Sequence, residues 1–306
     1  MVENVIIVGG GPAGLTAALY AARDGFSPLV ISGINAGGQL LLTTTVENFP
    51  GFVDGVQGPE LMDKFKRQAE KFGARFVQED VTDIDLSSNP YKIKAGTQEF
   101  EARTVILATG ASARWLGIES EAKFIGRGVS SCATCDAAFF KNKNVIVVGG
   151  GDTAMEDSVF LTRFASSVTI VHRRDAFKAS KIMQDKAMSN PKIKVIWNSV
   201  VEEITGDKKV SGVKIRNIVN NEVAEMPIDG VFVAVGYKPN TDFLNGKLPL
   251  DQKGYIITKD EVKTDLPGVF VAGDVADHVY RQAITAAISG TKAALEVRAY
   301  MQGLGI

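Results

Sequence analysis

The sequence predicts an α/β fold of two doubly wound domains, the second inserted in the first, and three observations carry that prediction. A short apolar strand, a glycine-rich turn and an Ala-rich helix occur in that order twice, starting at Val5 and again at Asn144. Further apolar runs end in glycine: Thr104 to Ala108 before Thr109-Gly110, Gly230 to Ala234 before Gly236, and Gly268 to Ala272 before Gly273-Asp274. Strands that stop in glycine at their carboxyl ends let a ligand approach closely, as crevice binding in open α/β sheets requires. The third observation is order, because the second turn falls between strands of the first pattern. The domains are read as residues 1–113 with 241–306, and 114–240. The segments near Ala111 to Gly117 and Gly236 to Thr241, rich in small and turn-forming residues, are read as linkers.

Val5 to Val8 is the β-branched run of a buried parallel strand. It enters Gly9-Gly10-Gly11-Pro12-Ala13-Gly14, a G-x-G-x-x-G match, and Leu15 to Arg23 continues as a helix closed by Gly25. Such glycines permit the tight turn, the approach of backbone to a pyrophosphate and close helix–strand packing. The motif alone is weak, but here it has the strand before and the helix after that it demands. The second copy is Asn144 to Val148, then Gly149-Gly150-Gly151-Asp152-Thr153-Ala154, then the helix Met155 to Phe164 and the strand Ser167 to Val171. Both are Rossmann-like modules, one for each nucleotide of a hydride relay.

The modules differ after their second strands, where a carboxylate normally takes the ribose and arginines a 2′-phosphate. The second reads His172-Arg173-Arg174, with Lys178 one turn on, and this favours NADPH over NADH because guanidinium groups bind phosphate through paired, charge-assisted hydrogen bonds. The competing reading is a solvated basic patch. The first module has no acid between Asp24 and Glu47; Ser32 and Asn35 occupy that region. Gly273-Asp274-Val275 leads to a helix expected over Gln282 to Arg298, whose start could face a flavin.

The two cysteines of the chain lie together as Cys132-Ala133-Thr134-Cys135, followed by Asp136. Zinc is disfavoured: His172 and His278 lie far apart and no second close ligand pair exists. An inert buried pair is an alternative, but vicinal thiols in an intracellular chain read first as redox chemistry. Asp136 is either a proton carrier for that chemistry or a helix N-cap.

Composition excludes other classes. With 45% hydrophobic and 23% charged residues the 306-residue chain is an ordinary globule, and a net charge of −1 favours neither nucleic acid nor an anionic membrane. No apolar run reaches the ~18 residues that span a bilayer. A strand close to Met1 leaves no room for a signal peptide, so the cytoplasm is expected.

The ordered set of Gly9 to Gly14, Gly37-Gly38-Gln39-Leu40, Val46 to Gly51, Ala108-Thr109-Gly110, Gly126 to Ser130, Cys132 to Asp136, Gly149 to Ala154, His172 to Asp175, Gly236 to Thr241 and Gly273 to Ala283 resembles the low-molecular-weight thioredoxin reductases over nearly the whole chain. The resemblance implies a homodimer that passes electrons from NADPH through FAD to a Cys132–Cys135 disulfide, and on to thioredoxin or a thioredoxin-like protein. FAD would be held by Gly9, Gly11, Pro12, Ala13, Gly14, Ser32, Gly33, Gly38, Gln39, Leu40, Asn48, Val81, Ala108, Thr109, Gly110, Gly273, Asp274, Arg281, Gln282 and Ala283. NADPH would meet Gly149, Gly151, Asp152, Thr153, Ala154, His172, Arg173, Arg174, Lys178 and Gly236.

By the same resemblance Cys135 is the sulfur nearer the flavin, Cys132 attacks the partner's disulfide and Asp136 is the general acid/base, and the NADPH domain rotates between two orientations. Arg127 and Phe139 are expected to touch the partner. Three departures stand out. Lys178 replaces an arginine, Ala137-Ala138 stand where the family has a glycine and an aromatic, and Leu41-Leu42 replace a threonine-rich stretch. The first softens the NADPH preference expected, and the second suggests an unusual partner. An oxygen-using dithiol oxidase, a ferredoxin–NADP reductase and a redox sensor share parts of this pattern. The second glycine turn, the cysteine pair and Asp136 respectively count against them.

Overall fold

A computed structural model of the chain describes residues 2–34, 36–43 and 45–306, and the chain forms two compact units. Asn35, expected near the first ribose, lies outside the described residues. The first unit is Met1–Ser112 with Lys238–Ile306 and the second is Ala113–Tyr237, against expected borders at 113 and 241.

The first unit begins with β1 (Val2–Val8), α1 (Pro12–Arg23), β2 (Leu29–Ile31), α2 (Gly58–Lys71), β3 (Arg75–Val77), β4 (Val81–Asp85), β5 (Tyr91–Ala95) and β6 (Gln98–Leu107). The sheet order is β3-β2-β1-β6-β5-β4. β6 is longer than the run of Thr104 to Ala108 suggests because it serves two pairings. Its amino-terminal half is antiparallel to β5, while Glu101 to Leu107 run parallel to β1, with Val8 opposite Leu107.

The second unit repeats this plan with β7 (Val129–Ser130), β8 (Asn144–Gly149), α3 (Asp152–Leu161), β9 (Ser167–Val171), α4 (Lys181–Met188), β10 (Ile193–Ile196), the antiparallel meander β11 (Ser199–Gly206), β12 (Val210–Asn217) and β13 (Val223–Pro227), and β14 (Gly230–Ala234). Its parallel sheet has the order β7-β14-β8-β9-β10. The chain then returns to the first unit, where β15 (Val269–Val271) joins β6 in parallel and α5 (Ala283–Gly303) ends the fold.

The parallel strands of both units are covered on both faces, which is why they read as continuous apolar runs rather than alternating ones. In β1, Val5 and Ile7 pack with the alanines of α1 and α5, whereas Ile6 and Val8 face Ile84, Ile93, Leu244 and Leu248. In β8, Val145 and Val147 meet α3 and α4 while Ile146 and Val148 meet the meander. Each such isoleucine, fully buried, contributes about 2 kcal/mol of hydrophobic free energy.

Helices α1 and α5 approach through small residues. A Cβ at Gly290 would lie 2.1 Å from the Ala13 carbonyl oxygen. Alanine is worth about 1 kcal/mol over glycine in a helix interior, but this contact is with backbone and yields only if α1 moves. Gly290→Ala is therefore expected to destabilise the protein by about 2 kcal/mol net, lowering the urea midpoint. An unchanged or higher midpoint would show that the close approach is not needed.

Candidate active site

In the first unit the predicted cofactor residues converge on one turn. A Cβ on Gly9, whose φ is +121°, would stand 2.2 Å from the Ala108 oxygen, and one on Gly14 would stand 1.9 Å from the Gly9 oxygen. The neighbouring Gly10 is pressed against Ser32, Gly38 lies against Gly11, and a Cβ on Gly273 would meet Ala13 at 2.9 Å. Gly11 is the exception, since nothing lies within 4 Å of its Cβ position. It is the N-cap of α1 and provides no side-chain cap, so the first N–H groups of a helix opened by Pro12 face that opening. Close-packed glycines around one open one are the form a pyrophosphate cradle takes.

Around the cradle, Asn48 Nδ2 donates to Gln282 Oε1 at 3.2 Å, joining two predicted residues 234 positions apart. Gln282 is the N-cap of α5, which starts at Ala283, and shares a capping box with Thr285. Ser32 is buried, its hydroxyl donating to the Val77 oxygen at 3.2 Å. Asp80 Oδ1 accepts the Ile34 N–H at 3.0 Å and so holds the loop that Gly33 opens. This acid comes from beyond β3 and no local signal marks it. Thr109 and Gly110 are tied to Asn240, whose Nδ2 donates to the Thr109 oxygen and whose N–H donates to the Gly110 oxygen. Gln39 and Leu40 lie in a 3-10 segment, Gly38–Leu42, in which Leu41 folds onto Gly37 and Leu41 and Leu42 are exposed. Val81, next to Asp80, is partly buried against the cluster on the sheet face opposite α1.

Asp274 is the outlying group. Its Oδ1 is buried and has no hydrogen-bond partner among the described residues. Burial, and then the charge of Asp277, push its carboxyl up to about 7, against the opposing pull of Arg281. A buried acceptor without a donor is costly, and its position beside Gly273 puts it near the cradle.

The second unit repeats the cradle. A Cβ at Gly149 would lie 2.4 Å from the Ala234 oxygen and 2.9 Å from the Ala154 Cβ, while Gly151, N-cap of α3, has nothing within 4 Å. Asp152 and Thr153 are the first residues of α3. Residues Arg173, Arg174 and Lys178 are exposed. His172, expected to meet the nucleotide, is buried behind the turn: a Cβ at Gly150 would fall 2.2 Å from its Cε1. Its Nε2 lies 3.1 Å from the Ala176 oxygen, and its ring stands 5.4 Å from Phe177, which in turn stands 4.3 Å from Trp197. His172 thus supports the turn from below. Gly236, with φ of +102°, accepts the Arg114 N–H through its carbonyl oxygen.

Cys132 and Cys135 are joined as a disulfide, their Cα atoms 5.3 Å apart, on the single helical turn Ala133–Asp136. Cys132 is half-buried and Cys135 exposed. The backbone at Cys132 is held on three sides. Its N–H donates to Ser130 Oγ at 3.0 Å, its carbonyl accepts from Asp136 N–H at 3.2 Å, and the preceding Ser131 carbonyl accepts from the Tyr237 hydroxyl at 2.8 Å. The Thr134 hydroxyl lies 3.4 Å from Cys132 Sγ. Burial raises the Asp136 carboxyl above the usual range, and a hydrogen bond with Ser130 works in the other direction. Asp136 makes no side-chain capping bond to the 3-10 turn that follows it. Ser130, Thr134 and Tyr237 carry no motif of their own, and only the fold brings them to the disulfide. Of the aromatics that follow, Phe140 is buried edge-on against Phe232 at 5.1 Å, while Phe139 is exposed beside Ala138. Among the described residues no group of three or more His, Cys, Asp or Glu could hold a metal ion, and no helix is long and apolar enough to cross a membrane.

Comparison with known proteins agrees with this geometry. The family model described as pyridine nucleotide-disulphide oxidoreductase matches residues 3–290. A thioredoxin reductase of Streptomyces coelicolor is 52% identical over 99% of this chain and 95% of its own length. One from Rickettsia felis is 51% identical over 97% of this chain and 98% of its own. The solved thioredoxin reductase of Giardia duodenalis superposes with a TM-score of 0.94 at 43% identity, covering 99% of this chain and 100% of that one. With two glycine cradles, the Cys132–Cys135 disulfide and full-length relatives of this kind, the chain belongs to the pyridine nucleotide-disulphide oxidoreductase family, among the thioredoxin reductases.

Proposed function

We propose that the chain reduces the disulfide of thioredoxin, or of a thioredoxin-like protein, with electrons from NADPH passed through a bound FAD. The observation that carries this reading is the Cys132–Cys135 disulfide with Asp136 at its side, in the same unit as the second glycine cradle. The open Gly11, the uncapped start of α1 and the unpartnered Asp274 Oδ1, which needs a hydroxyl donor of the kind a ribityl chain carries, fit FAD in the first unit. The open Gly151 and the exposed Arg173, Arg174 and Lys178 fit NADPH in the second.

When bound, FAD supplies acceptance of two electrons from a hydride donor and their delivery to a disulfide. The rest is chemistry of this chain. Two electrons and two protons break the Cys132–Cys135 bond and leave two thiols. Cys132, its proton passed to Asp136, attacks one sulfur of the partner's disulfide, and the sulfur that leaves takes the proton back from Asp136. Asp136 then accepts the Cys135 proton as that sulfur attacks Cys132 Sγ, which re-forms Cys132–Cys135 and releases the second partner thiol with that proton. A carboxyl raised by burial is suited to both halves of this exchange. Arg127 and the exposed Phe139 are the partner contacts in this reading, with Phe139 in place of the aromatic absent at Ala138. The protein would act as a homodimer in the reducing cytoplasm, and exposed Ile288 and Leu295, two turns apart on α5, support a pairing face.

The test is anaerobic titration of the FAD-loaded protein with NADPH, followed by oxidised thioredoxin. The flavin absorbance should bleach with NADPH and return with thioredoxin. Flavin that does not respond to NADPH sinks the proposal.

A further inference from the structure

Ser180 is the N-cap of α4, yet its hydroxyl makes no capping bond. Serine is favoured at this position because its oxygen accepts a first-turn N–H, an interaction worth about 1 kcal/mol. Here the hydroxyl instead donates to Asp152 Oδ1 at 2.9 Å, and the Ser180 backbone N–H donates to the same oxygen at 2.7 Å. The next residues back bind the same turn: the N–H groups of Lys178 and Ala179 both donate to the Gly150 oxygen, at 2.8 and 3.1 Å. At the other end of the loop, His172 packs under Gly150. The basic loop 173–178 is thereby fastened to the glycine turn at both ends. Its Arg173, Arg174 and Lys178 side chains are exposed and have no ion-pair partner among the described residues.

We infer that Ser180, through its two bonds to Asp152, is a positioning residue that holds the basic loop at a fixed distance from the phosphate turn and so sets recognition of the 2′-phosphate of NADPH. Three cations on one six-residue loop, offset there by Asp175 alone, repel, and left untethered they would spread. A 2′-phosphate needs them together at one distance from the pyrophosphate; a nucleotide lacking that phosphate needs only the turn. The tie also gives Asp152 a task other than nucleotide contact. Its carboxylate, at the start of α3, is engaged by donors from the loop, which tempers its repulsion of a bound pyrophosphate.

The inference rests on the NADPH reading above, and the test separates the two. Binding of 2′,5′-ADP and of 5′-ADP to the FAD-loaded protein is measured by calorimetry, alongside KM for NADPH and NADH. Ser180→Ala should weaken 2′,5′-ADP and raise KM for NADPH about fivefold to tenfold, with 5′-ADP, KM for NADH and kcat within about twofold. Ser180→Thr, which keeps the hydroxyl at an exposed position, should restore the parental values. Equal losses for both nucleotides, or no loss for either, would overturn the positioning role. The double variant Arg173→Ala/Arg174→Ala is the control for the reading beneath it. Should 2′,5′-ADP bind that variant as well as the parent, the basic loop does not receive the 2′-phosphate and both statements fall. Should the double variant lose 2′,5′-ADP while Ser180→Ala keeps it, only the inference about Ser180 falls.

Discussion

Cys135→Ser is expected to abolish turnover with oxidised thioredoxin, by at least about a thousandfold, because a two-thiol exchange cannot close with one thiol. NADPH should still bleach the flavin, since neither glycine cradle includes the cysteines. The two sulfurs should also separate by what accumulates. With Cys132 as the attacking sulfur, the Cys135→Ser chain has no thiol to resolve the mixed disulfide, and a covalent adduct with thioredoxin should build up on a non-reducing gel. Cys132→Ser should yield little adduct. The backbone around Cys132 is anchored, its flanking polar groups bonded to Ser130, Asp136 and Tyr237, while Cys135 is the more exposed of the two. A sulfur whose backbone stays fixed while its bonding partner changes is suited to repeated attack. Adduct from Cys132→Ser in place of Cys135→Ser would reverse the roles, and full turnover by either variant would remove the disulfide from the path.

The parts of this fold legible in the sequence are those in which neighbours along the chain make the structure. Two strand–turn–helix units were readable because the apolar run, the glycines and the helix follow one another within about twenty residues, the local range over which such motifs act. The strands Ser167–Val171 and Gly230–Ala234 have the bounds that their apolar runs give. Helix ends fared less well. α1 and α3 begin at Pro12 and Asp152, inside the motifs, and α5 runs from Ala283 to Gly303 where Gln282 to Arg298 was expected. The glycine turn is already the first turn of the helix, and α5 runs on until Gly305, which takes a left-handed φ of +76° beyond the Leu304 cap while the Gly305 and Ile306 N–H groups donate to the Gln302 and Met301 oxygens. The meanders are faint in sequence because only one face is covered, and β13 is almost wholly exposed.

Long-range bonds left no trace in the sequence. Asp80 holding the Ile34 loop, Ser180 tied to Asp152 and Tyr237 bonded to Ser131 each need a fold to bring them together. His172 shows the same limit from the other side. The motif places it beside the arginines, but a small gap under Gly150 and the ring of Phe177 draw it inward while Arg173 and Arg174 stay out.

Asp274 should make the FAD-free protein lose stability as pH rises from about 4 to about 7, with the loss gone when Asp274 is changed to Asn. Its carboxyl sits near 3.8 in an unfolded chain and is pushed up to about 7 when folded. An acid with a raised folded-state pKa binds its proton more tightly in the native state. The native advantage is therefore full below pH 3.8 and is lost as pH climbs through about 7. The span amounts to a loss on the order of 4 kcal/mol, a large share of the stability of a typical domain. Urea unfolding of FAD-free protein between pH 4 and 8 reads this directly. Parent and Asp274→Asn should be similar at pH 4, and the variant should be the more stable at pH 8. Adding FAD should flatten the slope of the parent, because a hydroxyl donated to the unpartnered Oδ1 favours the ionised form. The same measurement thus reports on both the buried acid and what satisfies it. Parallel profiles for parent and variant would mean that Asp274 titrates normally, and a slope indifferent to FAD would mean that the cofactor does not reach it.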